Sequence, residues 1–154
     1  MKRISLFGAL LSAVAVAAPL SAQAAIGPVV QSLPGWDIHS TSDAFEGKKS
    51  CVAIQRGGRA QVAEDGAVYI SMKGHGGLKM SRLRFDDEAP RGWRLHDYDS
   101  IEGRSSILTL PAEDFKNSRT VRLQIYTVLQ NTADFAFNSA EVRAAGAAVA
   151  ACQR

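Results

Sequence analysis

Residues 121–137 read VRLQIYTVLQNTADFAF, and apolar residues recur at every second position in two parts of this stretch. In residues 121–126 the odd positions are Val, Leu and Ile, and the even positions are Arg, Gln and Tyr. In residues 133–137 the odd positions are Ala, Phe and Phe. A period of two is typical of a β-strand with one buried face. The stretch therefore predicts two strands, each with one row of side chains in the core.

The same alternation recurs through the rest of the chain. Residues 68–72 alternate, and residues 78–85 change parity halfway, which predicts a β-bulge near Ser81-Arg82. Four shorter segments also have strand patterns: Trp36–His39, Cys51–Gln55, Trp93–His96 and Ser106–Leu110. Turns such as Asp65-Gly66 and Gly76-Gly77 separate the strands. This arrangement predicts a mainly β domain, an antiparallel β-sandwich or open barrel, with an α+β fold as the alternative.

The C-terminal segment has a helical pattern instead. Residues 139–152 are rich in alanine, the best helix former. Asn138 is a suitable N-cap, with Glu141 three residues later. Four residues share one helix face: Val142, Ala145, Val149 and Cys152. The sequence predicts that this helix packs on the sheet, and that a second short helix starts at Pro111.

The N-terminus has the three parts of a secretory signal peptide. Lys2 and Arg3 precede an apolar run over residues 6–18, and small residues surround Ala24. A run of about 13 residues is shorter than the roughly 20 that span a bilayer. We expect cleavage after Ala24, which leaves residues 25–154 as one β-rich domain in the periplasm without a membrane span. An uncleaved N-terminal anchor is the alternative.

The two cysteines of the chain, Cys51 and Cys152, both lie in the exported part. In an oxidising compartment such a pair is expected to form a disulfide. The alternatives are a reactive thiol pair or metal ligands, but the sequence has no C-x-x-C motif and no histidines at ligand spacing. We therefore expect a disulfide that holds the last helical turn, with no metal and no cofactor.

The charge balance argues against a nucleic-acid-binding protein. The chain has 18 Lys and Arg against 15 Asp and Glu, a net charge of +3. Loss of residues 1–24 would remove two basic residues and no acidic one, leaving 16 against 15 and a net charge of +1. The basic residues are also scattered along the sequence. Four arginines would form a basic strip only if their strands pair: Arg82, Arg84, Arg91 and Arg94.

The most unusual segment, residues 72–79, reads MKGHGGLK. Its glycines surround His75, and Lys73 and Lys79 flank them, so the loop would present N–H groups and cationic ends to an anion or carboxylate. The alternative is a hairpin loop whose glycines satisfy turn geometry and whose lysines are solvated. Trp93 is a further candidate for stacking on a ligand or partner. Packing at the edge of the core is the alternative role for this side chain.

Two other segments suggest chemistry less specifically. Asp86-Asp87-Glu88 presents three carboxylates, but consecutive residues rarely converge on one cation, so a solvated turn is expected. His96-Asp97-Tyr98-Asp99 places an imidazole beside carboxylates, with serines nearby, as a hydrolase triad would require. The sequence lacks a G-x-S-x-G nucleophile elbow. We therefore predict no catalytic residues.

Several features together resemble a group of small periplasmic proteins of Gram-negative bacteria. They are the signal peptide, Gly35-Trp36-Asp37-Ile38, Cys51-Val52-Ala53, Leu83-Arg84-Phe85-Asp86-Asp87 and the alanine-rich helix ending in Cys152. The resemblance implies a periplasmic β-rich domain and brings no particular activity.

The sequence thus favours a non-catalytic binding or interaction module, such as an inhibitor of an exported enzyme or an envelope-associated protein. Its partner would be a periplasmic protein or another envelope component. The residues expected to bind it are Lys73, His75, Lys79 and Trp93. A periplasmic hydrolase that uses His96 or His75 is the alternative.

Overall fold

The computed structural model describes residues 26–42, 47–57, 59–72, 77–96 and 107–154. Within these ranges the chain is mainly β, with two open antiparallel sheets and one C-terminal α-helix. The predicted β-rich fold with a terminal helix is confirmed. The predicted signal peptide and its cleavage site lie outside the described residues.

The larger sheet has six strands: β1 (Val29–Leu33), β2 (Trp36–Ser42), β3 (Lys49–Gln55), β4 (Ala60–Val62), β5 (Val68–Ser71) and β8 (Ile107–Leu110). They are arranged in the order β1-β2-β3-β4-β5-β8. Strands β1 and β4 were not predicted, because β1 is mostly exposed and β4 has only three residues. Neither length nor pattern marks such segments as strands.

The smaller sheet has four strands: β6 (Leu78–Phe85), β7 (Arg94–Leu95), β9 (Thr120–Thr127) and β10 (Thr132–Asn138). They are arranged in the order β10-β9-β6-β7, so the 121–137 stretch forms a hairpin of two paired strands. The bulge in β6 was predicted at the wrong place. The register shifts between Leu78 and Met80, which turns Met80 away from the core and brings Ser81 into it.

One apolar core joins the inner faces of both sheets and the helix. Its largest fully buried side chains include Phe115, Phe137, Ile38, Ile70, Leu123 and Ile125. Phe115 comes from a short 3-10 helix, Ala112–Phe115, which begins directly after Pro111 as predicted. Among the described residues, no helix is long and apolar enough to cross a membrane.

The terminal helix α1 spans Ser139–Gln153. The Asn138 side chain caps it and accepts hydrogen bonds from the N–H groups of Ala140 (2.9 Å) and Glu141 (3.3 Å). The predicted apolar face is buried against β2, β3 and β4. The predicted disulfide joins Cys51 on β3 to Cys152 in the last helical turn, with 6.1 Å between the Cα atoms. The helix is therefore fixed at its N-terminus by a cap and at its C-terminus by a covalent bond.

Candidate functional site

The side of the four-stranded sheet that faces away from the core is here termed the outer face. Antiparallel pairing of β6 with β9 sets which residues reach it. Arg82 lies opposite Gln124, Arg84 lies opposite Arg122, and the intervening Leu83 belongs to the inner row. Because successive side chains point to opposite sides of a strand, the outer row is polar while the inner row is apolar.

Cationic side chains dominate the outer face. Lys79, Arg82 and Arg84 come from β6, and Arg122 comes from β9. On the described strands of this sheet, Asp134 is the one carboxylate in the outer row. Four positive charges thus share one sheet face with a single negative charge, although the basic residues are scattered in the sequence.

Aromatic rings lie directly beside two of these cations. The Arg82 guanidinium is 4.5 Å from the centroid of the Trp93 ring, and Trp93 remains 41% exposed. The Nε of Arg82 also donates a hydrogen bond to Gln124 Oε1 (2.8 Å), which fixes the side chain between strand and ring. The Lys79 ammonium lies 5.7 Å from the centroid of the Tyr126 ring. Such cation–π contacts order the charged ends while leaving them accessible from solvent.

A groove of about 440 Å³ runs across the outer face between Pro90 and β10. Arg84, Arg122 and Asp134 contribute to its lining. The Nε of Arg84 is buried and has no hydrogen-bond partner among the described residues. A buried donor without an acceptor is unfavourable, and because this Nε is inaccessible to solvent, an incoming acceptor would reach it only after the Arg84 side chain moves.

A second cavity, the inter-sheet cleft, opens on the inner side of β6 and β7, next to the edge strand β8. There His96 Nε2 and Ser81 Oγ are 2.7 Å apart, and the backbone N–H of His96 donates to the carbonyl of Lys79 (3.0 Å). Burial, with a smaller contribution from the Arg94 charge, lowers the pKa of His96 below its usual 6.5. The imidazole is therefore mainly neutral at pH 7, and it holds the edge strand β7 against β6.

The structure places two of the predicted binding residues on the outer face. Lys79 lies beside the Tyr126 ring, and the Trp93 ring lies beside Arg82. Lys73 and His75, predicted to act with Lys79, lie outside the described residues, as do positions 97–99 of the His96 segment. The described part of the chain therefore tests neither the glycine-rich loop nor the proposed triad.

The predicted basic strip is only half right. Arg82 and Arg84 share the outer face, but Arg91 and Arg94 line the inter-sheet cleft instead. Arg91 lies in the cleft because the chain has turned away from β6 before this residue. Its guanidinium packs over the Phe85 ring, 4.2 Å from the centroid. Arg94 lies opposite Ser81 in the inner row.

The acidic segment forms a turn, as expected. Asp86 adopts a positive φ of 47°, and its Oδ1 accepts hydrogen bonds from the N–H groups of Arg119 (2.9 Å) and Thr120 (2.8 Å). Asp87 and Glu88 are exposed. In the part of the chain that the structure describes, no three His, Cys, Asp or Glu side chains are grouped closely enough to hold a metal ion.

The sequence did not identify Arg122 or Ser81 as site residues. The alternation pattern already placed Arg122 on the row of its strand that faces away from the core. That Arg122 lies beside Arg84 follows only from the pairing of β6 with β9. Ser81 meets His96 because β7 pairs with β6 across a gap of 15 residues in the sequence. No alternation pattern carries information of that kind.

No protein-family model, curated protein or solved structure matches this chain. The function is therefore argued from the geometry of the outer face and of the inter-sheet cleft.

Proposed function

We propose that the chain is a non-catalytic interaction module that binds an acidic segment of a partner protein on its outer face. The observation that carries this proposal is the grouping of Lys79, Arg82, Arg84 and Arg122 on one solvent-facing sheet surface. Charge complementarity selects an anionic partner, because clustered cations raise the rate of encounter and the specificity of binding to negative surfaces.

The chemistry of the outer face also supports an extended segment as the bound form. The groove between Pro90 and β10 is about 440 Å³ and has both apolar and charged lining. Trp93 provides an exposed aromatic surface, and Trp and Arg are the residues most enriched at energetically important interface positions. Arg84 lines the groove, and its guanidinium can donate charge-assisted hydrogen bonds to a carboxylate or carbonyl oxygen.

We further propose that the module acts in the periplasm after removal of residues 1–24. The Cys51–Cys152 disulfide supports an oxidising compartment. Intact-mass analysis of protein recovered from the periplasmic fraction tests this step. A mass that starts at Ala25 and is two hydrogens lighter than the dithiol form is expected, whereas a full-length cytosolic dithiol would contradict it.

Fluorescence titration with a hexaglutamate peptide tests the binding proposal, because Trp93 is exposed on the outer face and Trp36 is buried in the core. We expect saturable binding that weakens as salt is added, since exposed charges are screened over about 10 Å at 0.1 M ionic strength. The double substitution Lys79→Gln/Arg122→Gln removes two exposed cations from the face. We expect about a fivefold loss of affinity, as for two exposed ion pairs of about 0.5 kcal/mol each.

The matched control is Lys49→Gln/Arg59→Gln, which removes two exposed cations, one on β3 and one directly before β4, and changes the net charge equally. Its affinity should stay close to that of the wild-type protein. An equal loss in both double variants would mean that net charge alone attracts the peptide, and the proposed site would be rejected. Equal binding of a hexalysine peptide would also reject it.

A serine hydrolase is the second candidate, and the 2.7 Å contact between Ser81 Oγ and His96 Nε2 favours it. A histidine at that distance can accept the serine proton during attack on a carbonyl. Ser81 is only 5% exposed, which restricts access to the oxygen. Covalent labelling with a fluorophosphonate, in which Ser81 Oγ displaces fluoride from phosphorus, would support this candidate if Ser81→Ala abolished it. Absence of labelling at folded Ser81 would remove it.

A further inference from the structure

The inter-sheet cleft has the construction of a small-molecule site, separate from the protein-binding outer face. It lies between the edge strands β7 and β8 of the two sheets, and its volume is about 310 Å³. That volume is at the lower end of the range of about 300–1,000 Å³ found for small-molecule pockets. Among the described residues, the cleft and the groove have Arg82 and Leu83 of β6 in common.

The floor of the cleft is apolar. Leu108 and Leu110 project into it from β8 and are 7% and 3% exposed. Leu83 from β6 and Pro111 complete this surface. The apolar part of a ligand placed here would lose contact with water where it touches each sheet. This burial contributes roughly 25 cal/mol to the binding free energy per Å² of apolar area.

The rim of the cleft is polar and mainly cationic. Arg91 and Arg94 are exposed there, and His96 is held beside Ser81. Arg91 is positioned by its contact with the Phe85 ring. Asp114 is the one carboxylate among the described lining residues. Burial is the main cause that raises the pKa of Asp114, and the nearby Arg91 charge opposes that shift.

We propose that the inter-sheet cleft binds a small monocarboxylate with an apolar body. The carboxylate lies at the rim, where Arg94 and His96 donate hydrogen bonds to it, and the apolar body covers Leu108 and Leu110. The cationic rim matches the carboxylate of such a ligand, and the leucine floor matches its apolar body. An amine would be repelled by the two arginines, and a purely polar anion would leave the apolar floor uncovered. The site does not depend on the acidic partner of the outer face.

Three matched probes test this proposal: 4-phenylbutyrate, 4-phenylbutanol and 4-phenylbutylamine. Binding is measured by NMR titration of the ¹⁵N-labelled protein, following the amides of Leu108 and Leu110. We expect saturable shifts with phenylbutyrate, weaker binding of the alcohol and the weakest binding of the amine. The exposed-residue substitution Arg94→Gln should weaken phenylbutyrate binding by about tenfold, the size expected for a charge-assisted hydrogen bond, and leave the alcohol unchanged.

Arg59→Gln is the matched control, because it removes one exposed arginine that is not among the described lining residues of the cleft or of the groove. Its affinity for phenylbutyrate should equal that of the wild-type protein. The proposal is overturned if the three probes bind alike, if Arg59→Gln weakens phenylbutyrate binding as much as Arg94→Gln does, or if phenylbutyrate causes no saturable shift at Leu108 and Leu110.

Discussion

At the scale of single residues, the chain uses side chains of very different size to bring its elements together. Gly146 is the smallest case: it is buried on the inner face of α1, and an added Cβ would lie 3.3 Å from Gly66 Cα and 3.6 Å from Val62 Cγ1. Trp36 has one of the largest side chains and is buried in the core, whereas the ring of Trp93 lies outside the core. Both tryptophans directly follow a glycine, Gly35 and Gly92, so this local pattern does not distinguish their roles.

The Gly146 contact leads to the first prediction. Gly146→Ala should gain about 1 kcal/mol of helix propensity and lose about 1–3 kcal/mol from overpacking against backbone that cannot shift easily. We expect a net decrease of about 1 kcal/mol in the free energy of unfolding, measured by urea denaturation. Ala144→Gly, at an exposed position of the same helix, measures the propensity contribution alone. A Gly146→Ala protein more stable than wild type would show that the close approach is not limiting.

His96 provides a pH-dependent prediction. Burial and the Arg94 charge lower its pKa in the folded chain, so the unfolded chain binds more protons below pH 6.5. The free energy of unfolding should therefore fall as the pH drops below about 6.5, and His96→Gln should reduce that fall. The raised pKa of Asp114 has the opposite effect on the free energy of unfolding: its contribution is lost as the pH rises above the ordinary pKa of 3.8. An NMR titration of the His96 ring with a midpoint at or above 6.5 would contradict the prediction.

At the scale of whole elements, the predictable features are those encoded locally. The strands at 121–137 and the cap at Asn138 followed from alternation and from residue type, and both are present. The pairing of β6 with β9 and of β5 with β8 joins segments far apart in the sequence, so the outer face and the cleft could not be predicted. The bulge was misplaced for a related reason, since register depends on the partner strand as well as on the strand itself.

The covalent link between α1 and β3 gives the third prediction. The disulfide closes a loop of 101 residues, and chain-entropy theory assigns about 4.7 kcal/mol to a loop of that size. Cys152→Ser should lower the free energy of unfolding by an amount of that order, as measured by guanidinium denaturation. The C-terminal turn of α1 should lose amide protection first, because it is then held to β3 only by non-covalent contacts, such as the hydrogen bond from Gln153 Nε2 to the Cys51 carbonyl, at 3.4 Å.

Reduced wild-type protein is the control for that experiment, and it should match Cys152→Ser. Equal stability of the oxidised wild-type protein and Cys152→Ser would mean that the disulfide adds nothing to the packing of Val142, Ala145 and Val149.

At the scale of the molecule, the four-stranded sheet separates two environments. Its outer face presents cations and aromatic rings to solvent, and the cleft on its inner side combines a leucine floor with a cationic rim. The six-stranded sheet and α1 form the stable support behind both, closed by the disulfide. We propose that recognition belongs to the outer face, because the cationic side chains converge there.

The most direct test is an NMR titration of the ¹⁵N-labelled protein with hexaglutamate peptide, mapping every shifted amide onto the fold. We expect shifts concentrated on β6, β9 and β10, with the indole N–H of Trp93 among the shifted signals and that of Trp36 unchanged. Arg82→Gln should reduce these shifts together. Shifts spread evenly over both sheets, or concentrated on the six-stranded sheet, would contradict the claim that the outer face is the binding surface.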